Sequence, residues 1–161
     1  MGRLLVLPGV DHLQNIHPVI VHFPVALIPS SVLVYLVAWI ARRPSWQWGG
    51  LLLLVMGVAG AAAAVVSGLY AAPGVMIAPS VKDVLLADHK RLMLATLALG
   101  GVLMVWALVA RPMPIRGRGV FMVAMLLLLG LLVKGADYGA RMVFDYNAGG
   151  FACGQPIEFT R

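Results

Sequence analysis

The sequence predicts an all-α integral membrane protein, an antiparallel bundle of four transmembrane helices with a short extracytoplasmic C-terminal hairpin or tail. Of its 161 residues, 61% are hydrophobic and only 11% are charged, and the mean hydropathy is +0.95. These values lie outside the range of ordinary soluble domains. Four apolar stretches are each long enough to cross the hydrocarbon core of a bilayer, which takes about 20 helical residues. Short loops between such spans join them into one compact antiparallel bundle.

The chain divides into an N-terminal segment, a membrane bundle and a tail. The N-terminal segment covers 1–17, the bundle 18–143 and the tail 144–161, with predicted spans at 18–40, 46–71, 89–110 and 119–143. Pro8 and Asp11 interrupt the first apolar run, so no cleaved signal is expected. The stretch 81–88 is short and amphipathic, so we expect it to lie in the membrane interface and lead into the third helix at His89.

Prolines and small residues shape the first two predicted spans. Pro24 and Pro29 each remove a helical hydrogen bond and free the carbonyls of Ile20 and Val25, so we expect a bent first helix. Neighbouring helices, water or hydroxyls must then satisfy these carbonyls, and the nearest hydroxyls are those of Ser30 and Ser31. The second span has a stripe of small residues at Gly57, Gly60, Ala61, Ala64 and Gly68. Such a stripe favours close helix packing, room for a flat macrocycle or quinone ring, or both.

The distribution of charge predicts the topology. The net charge is +6, and two loops carry arginines without any acid, at Arg42, Arg43, Arg111, Arg116 and Arg118. Such loops are typical of the cytoplasmic side. The opposite side has more positive residues in total but also all six acids. We therefore expect a bacterial-type inner membrane protein with both termini extracytoplasmic. No nucleic-acid motif, phosphate loop or catalytic triad is visible.

The predicted topology brings every histidine to the extracytoplasmic face. The polar residues expected in that layer are His12, His17, His22, Ser67, Asp88, His89, Lys134, Asp137 and Arg141. Polar groups at membrane depth are costly, which makes them candidates for function. Cys153 is the only cysteine, which rules out a CxxCH haem site and a cysteine-held iron–sulfur cluster from this chain alone. A cofactor would have to be held by histidine.

Three interpretations of this layer are open. In the first, b-type haem has His22 and His89 as axial ligands, and Lys134 or Arg141 meets the propionates. His17 is then a ligand to a second haem or a hydrogen-bond partner, because five helical residues separate it from His22 by about 140°. In the second, the histidines with Asp88 hold a zinc or copper ion, although their spacing matches no compact metal motif, or they bind a quinone.

The third interpretation is structural and involves no ligand. In this case His22 satisfies a carbonyl freed by proline, and His89 caps its helix or pairs with Asp88. Lys134 and Arg141, with Asp137 between them, then form a buried network that fixes helix register.

Several of these segments together resemble a known family. They are His17-Pro18, His22-Phe23-Pro24, the small-residue helix from Gly60 to Gly68, His89 at the predicted start of the third helix, and Gly139 to Phe144 with Gly149-Gly150. The sequence resembles the domain of unknown function 2231 family of small four-helix membrane proteins, although Ala140 stands where that family has a glycine. The resemblance implies a fold and a topology but no activity. Some relatives are joined to Rieske-type or c-type cytochrome domains, which favours electron transfer by analogy.

We therefore expect a haem b protein in the lipid bilayer that passes electrons from a quinone or another membrane donor to a periplasmic acceptor. The redox partner implied by the resemblance is a Rieske-type or c-type cytochrome. A non-catalytic membrane scaffold or assembly subunit is the alternative. A homo-oligomer and a larger membrane complex both fit the sequence, and whether any net reaction is catalysed is left open.

Overall fold

The structure, a computed structural model, describes residues 16–75, 77–146 and 148 and is helical in all the regular structure that it describes. Four helical segments are long and apolar enough to cross a membrane. They are His17–Ile40, Trp46–Gly74, Pro79–Ala110 and Arg118–Phe144, called here the first to fourth spans. The predicted all-α bundle of four spans is thus confirmed. The hairpin or tail predicted beyond residue 144 lies almost entirely outside the described residues.

The individual helices refine the predicted boundaries. The α-helices are His17–Ile20, His22–Ile40, Trp46–Ala71, Pro79–Val81, Ala87–Ala110 and Arg118–Phe144, with a 3-10 helix at Ala72–Gly74 and a π-helical turn at Lys82–Leu86. The third span starts at Pro79, not at His89 as the sequence suggested. Proline suits a first helical turn because its missing N–H needs no partner there. No glycine or proline follows it before Gly100, so the amphipathic stretch continues into the span.

The first span is interrupted near its start, in agreement with the expected bend. Val21 is a turn residue between the helices His17–Ile20 and His22–Ile40. Pro24 falls in the first turn of the longer helix, where a missing N–H costs little. Pro29 lies inside that helix.

The serine hydroxyls do not satisfy the carbonyls that these prolines free. Ser30 Oγ donates instead to the Ala26 carbonyl at 2.7 Å. Ser31 Oγ donates to the Gly50 carbonyl of the second span at 2.8 Å. Because Ser31 is buried, its bond ties the first two spans together. Neighbouring helices or water are then the partners that the sequence prediction leaves for the freed carbonyls.

The four spans form a ring in chain order. Each packs against the next, and the fourth packs against the first. The first and third spans therefore face each other across the bundle. The loops 41–45 and 111–117 lie at one end, called the arginine end. The other end carries His17 and His89 and is called the histidine end.

The half of the bundle near the arginine end is tightly packed. Tyr35 is fully buried and meets Phe121 edge to face, with ring centroids 5.3 Å apart, and Trp106 meets the same ring at 5.7 Å. The Tyr35 hydroxyl donates to the Pro112 carbonyl at 2.9 Å, which fixes the loop 111–117 to the first span. The space available for a ligand is consequently at the other half.

The small-residue stripe of the second span packs against the first span in one part and lines a cavity in another. A Cβ atom on Gly57 would lie 2.9 Å from Cγ1 of Ile28, and one on Gly60 would lie 3.0 Å from Cβ of Phe23. These glycines let the first span approach closely. Further along the stripe, Ala61, Ala64 and Gly68 line a cavity at the histidine end.

Candidate functional site

A cavity of about 750 Å³ lies at the histidine end, inside the ring of spans. Three of the four histidines line it, namely His17, His22 and His89. His12 lies outside the described residues. The walls are mostly small or apolar and come from all four spans, through Pro24, Ala61, Ala64, Met93, Thr96, Leu132 and Ala136. This volume falls within the range of about 300–1,000 Å³ that is usual for ligand sites.

His17 is half-buried and hydrogen-bonded to the second span. Its Nδ1 lies 3.0 Å from Oγ of Ser67, which also lies 3.1 Å from the Ala64 carbonyl oxygen. A neutral imidazole has one donor and one acceptor nitrogen, so either ring nitrogen of His17 can carry the proton in this arrangement. The bond to Ser67 holds the ring against the second span.

His89 is held in the same manner by the fourth span. Its Nδ1 lies 2.7 Å from the carbonyl oxygen of Gly135. A carbonyl has no hydrogen to give, so Nδ1 is the donor and Nε2 is the basic nitrogen of the neutral ring. His17 and His89 are thus each held by a hydrogen bond at Nδ1, one to the second span and the other to the fourth span.

Two glycines make room for the imidazole rings. A Cβ atom on Gly68 would lie 2.9 Å from Cε1 of His17, and one on Gly139 would lie 3.1 Å from Cε1 of His89. Both distances are shorter than ordinary van der Waals contact. Each ring therefore rests directly on the backbone of a neighbouring helix, which restricts its orientation.

His22, which the sequence paired with His89, is exposed at the edge of the cavity. The buried side of the first span contains Pro24, Ile28 and Tyr35. His17 belongs to this side because it precedes Pro24 by seven residues, close to two helical turns. This heptad spacing was visible in the sequence and favours His17 over His22 as the inward histidine.

Lys134 and Arg141 lie on the outer face of the fourth span, away from the cavity lining. The Lys134 side chain is 59% exposed and its Nζ is 3.7 Å from Oδ2 of Asp137. The Arg141 side chain is 45% exposed and its Nε is 3.4 Å from Oδ2 of Asp145. These residues form two exposed ion pairs, not the single buried network of the structural interpretation.

A different cation lines the cavity. Lys90 follows His89 on the third span and belongs to the cavity wall. Lys90 was not among the site residues predicted from the sequence. The one sequence feature that points to it is its position next to His89. Asp88 pairs with Arg91 at 3.3 Å, so its partner is not His89.

The donor groups limit the chemistry of the site. Among the described residues, no group of three or more histidine, cysteine, aspartate or glutamate side chains could hold a metal ion. A zinc or copper site made by three protein ligands is therefore not formed in this part of the chain. A pair of histidines across an apolar cavity can instead hold the metal of a larger prosthetic group.

Fold and site together define a class, the four-span membrane bundle with a histidine-lined cavity at one end. A model of a family described as predicted membrane protein, DUF2231, matches residues 13–150, and the chain belongs to that family. The resemblance seen in the sequence is thereby confirmed. Searches of curated proteins and of solved structures found no match.

Proposed function

We propose that the cavity at the histidine end holds b-type haem for electron transfer, with His17 and His89 as the axial ligands. One observation carries this proposal: both imidazoles line the cavity and are held by a hydrogen bond at Nδ1, which for His89, bonded to the Gly135 carbonyl, leaves Nε2 as the basic nitrogen. Histidines that bind metals almost always have such a bond at the other nitrogen, because it fixes the tautomer and the ring orientation.

The surroundings of this pair suit a flat, mainly apolar group. The two histidines come from spans that face each other across the bundle, and small residues of the second span leave space between them. When bound, haem supplies an iron that accepts and releases one electron. In this proposal Lys90 would pair with a propionate from within the cavity wall, while Lys134 and Arg141 keep their ion pairs with Asp137 and Asp145 on the outer face.

Orientation and partners belong to the same proposal. The loops of the arginine end and the first residue of the fourth span together carry five arginines and no acid, which supports placing that end in the cytoplasm of a bacterial-type cell. The haem then lies near the extracytoplasmic face. An extracytoplasmic cytochrome of the Rieske or c type is the acceptor that the family resemblance suggests, by analogy alone.

A quinone site is the second candidate, and a separate groove supports it. This groove of about 510 Å³ lies on the outer side of the first and second spans and is lined by exposed residues, among them Ile16, Val66 and Tyr70. Ser67 also lines it, and its bond to His17 connects the groove with the cavity. Binding of a quinone analogue, measured by its displacement, tests this candidate. Ser67→Ala and Ala63→Phe should each lower the affinity for the analogue.

The haem proposal is tested on protein purified from a haem-replete host. The expected result is a reduced-minus-oxidised spectrum with the α-band of a bis-histidine haem and stoichiometric haem content. His89→Gly should lose the band, and free imidazole should restore it because the cavity accepts the missing ring. A colourless protein that also fails to take up added haemin would leave the scaffold or assembly subunit as the function.

A further inference from the structure

The two ends of the bundle differ in how their charges are balanced. All described acidic residues lie at the histidine end, namely Asp83, Asp88, Asp137 and Asp145. The three ion pairs of the described residues are also there. The arginine end has Arg42, Arg43, Arg111, Arg116 and Arg118. Within the described ranges, no carboxylate neutralises this cluster, called here the arginine cluster.

The arginine cluster contains a donor that needs an acceptor. The Nε atom of Arg118 is buried, and the described residues provide it with no hydrogen-bond partner. Buried polar atoms are nearly always paired, so this atom requires an oxygen from water or from a bound molecule. Arg42 and Arg111 moreover have φ angles of 52° and 43°, a region that non-glycine residues rarely occupy and that often marks binding sites.

We propose that the arginine cluster binds the phosphodiester headgroups of anionic phospholipids in the leaflet at the arginine end. Guanidinium groups bind phosphate oxygens through paired, charge-assisted hydrogen bonds. The cluster stands at the ends of the spans, beside the exposed side chains of Trp39, Trp46 and Trp48. Tryptophan side chains at span ends sit at the level of lipid headgroups, so the phosphates lie where the arginines are.

The membrane location and the charge together favour lipid over other phosphate sources. Arginines next to a membrane span attract anionic lipids, and clusters of four or more are typical of lipid-binding segments. Four members of the cluster, Arg42, Arg43, Arg111 and Arg116, are exposed and free to meet headgroups. Anionic lipid should accordingly be enriched around this end by about tenfold over zwitterionic lipid.

The tryptophans allow a direct test, since all four of the chain lie in the half near the arginine end, at positions 39, 46, 48 and 106. The protein is reconstituted in phosphatidylcholine vesicles that contain a small fraction of phosphatidylglycerol. In one sample the phosphatidylglycerol is brominated, and in the other an equal mole fraction of the phosphatidylcholine is brominated. Brominated phosphatidylglycerol should quench the tryptophan fluorescence far more strongly. Equal quenching by both lipids would overturn the proposal.

Variants and a soluble competitor define the site. Replacing Arg42, Arg43, Arg111 and Arg116 by glutamine should abolish the preference for phosphatidylglycerol. The control, Lys82→Gln with Arg91→Gln at the histidine end, should keep it. A preference that survives in the fourfold variant contradicts the assignment to the arginine cluster. Inorganic phosphate should weaken the preference more than sodium chloride of the same ionic strength does, and equal weakening by both salts would contradict a phosphate-binding site. The outcome does not depend on haem.

Discussion

At the scale of single residues, two hydrogen bonds determine what the cavity can bind. Nδ1 of His17 is bonded to the Ser67 hydroxyl, and Nδ1 of His89 donates to the Gly135 carbonyl, which fixes His89 as the Nδ1–H tautomer. Without its bond His89 could present either nitrogen to a ligand. The chemistry of the site thus depends on residues of the second and fourth spans that are not themselves potential ligands.

The tautomer of His89 can be observed directly in protein with ¹⁵N-labelled histidine. Long-range proton–nitrogen correlation spectra should show the Nδ1–H form for His89. Gly139→Ala should change the His89 pattern, because the added Cβ atom would lie 3.1 Å from its ring. Gly130→Ala is the matched control, since nothing lies within 4 Å of the added atom. If both variants keep the wild-type pattern, the described packing of His89 is incorrect.

The fixed loop at the arginine end gives a second prediction for a single residue. Tyr35→Phe removes the bond to the Pro112 carbonyl and leaves that oxygen without its partner. We expect a loss of about 1 kcal/mol in the free energy of unfolding, measured by denaturant titration in detergent micelles. Tyr70→Phe, at a residue that is 84% exposed, should change stability much less. Equal effects of the two changes would argue against the Tyr35 bond.

At the scale of elements, close packing between neighbouring helices stabilises the bundle. Both buried and exposed faces of these spans are apolar. Moving an apolar side chain from lipid into the protein interior therefore adds little to the free energy of folding. Packing therefore decides stability. Leu54 is fully buried, whereas Leu52 on the same helix is 60% exposed.

This pair of leucines provides a matched comparison. Leu54→Ala should lower the free energy of unfolding by at least about 1 kcal/mol more than Leu52→Ala does, because only the first leaves a cavity. The measurement is equilibrium unfolding in micelles or bicelles. Similar losses for both variants would mean that the face packed inside the bundle has been misassigned.

The sequence predicted the elements well because hydrophobic length is a strong signal. The sequence predicted the ends of the helices less accurately. Nothing in the stretch from Pro79 to Asp88 distinguishes an interfacial helix from the first turns of a span. The sequence prediction brought His17, His22 and His89 to the end where the structure has a cavity but paired His22 with His89, since the break at Val21 and the row of buried residues continuing from His17 were not considered together.

At the scale of the whole molecule, the two ends have different properties. The arginine end is closed by aromatic packing, and the histidine end contains a cavity. Contacts between distant parts of the chain produce this difference, so no local pattern could have predicted the cavity volume or the role of Lys90. The proposed orientation assigns the cavity to the extracytoplasmic side.

Orientation can be tested with single cysteines in a Cys153→Ser background. Ser80→Cys lies near the start of the third span, and Ser45→Cys lies in the loop 41–45. In intact cells, a membrane-impermeant maleimide should label only the cysteine at position 80. After cell lysis, both should react because both positions are exposed. Labelling of position 45 alone in intact cells would reverse the proposed topology.

The central claim is that the histidines at 17 and 89, and not the one at 22, share a ligand inside the bundle. The most direct measurement is the haem content of His17→Ala and His22→Ala, purified in parallel and normalised to folded protein. Our account predicts that His17→Ala loses the bis-histidine spectrum while His22→Ala retains it. If His22→Ala loses the bis-histidine spectrum while His17→Ala retains it, the account is contradicted.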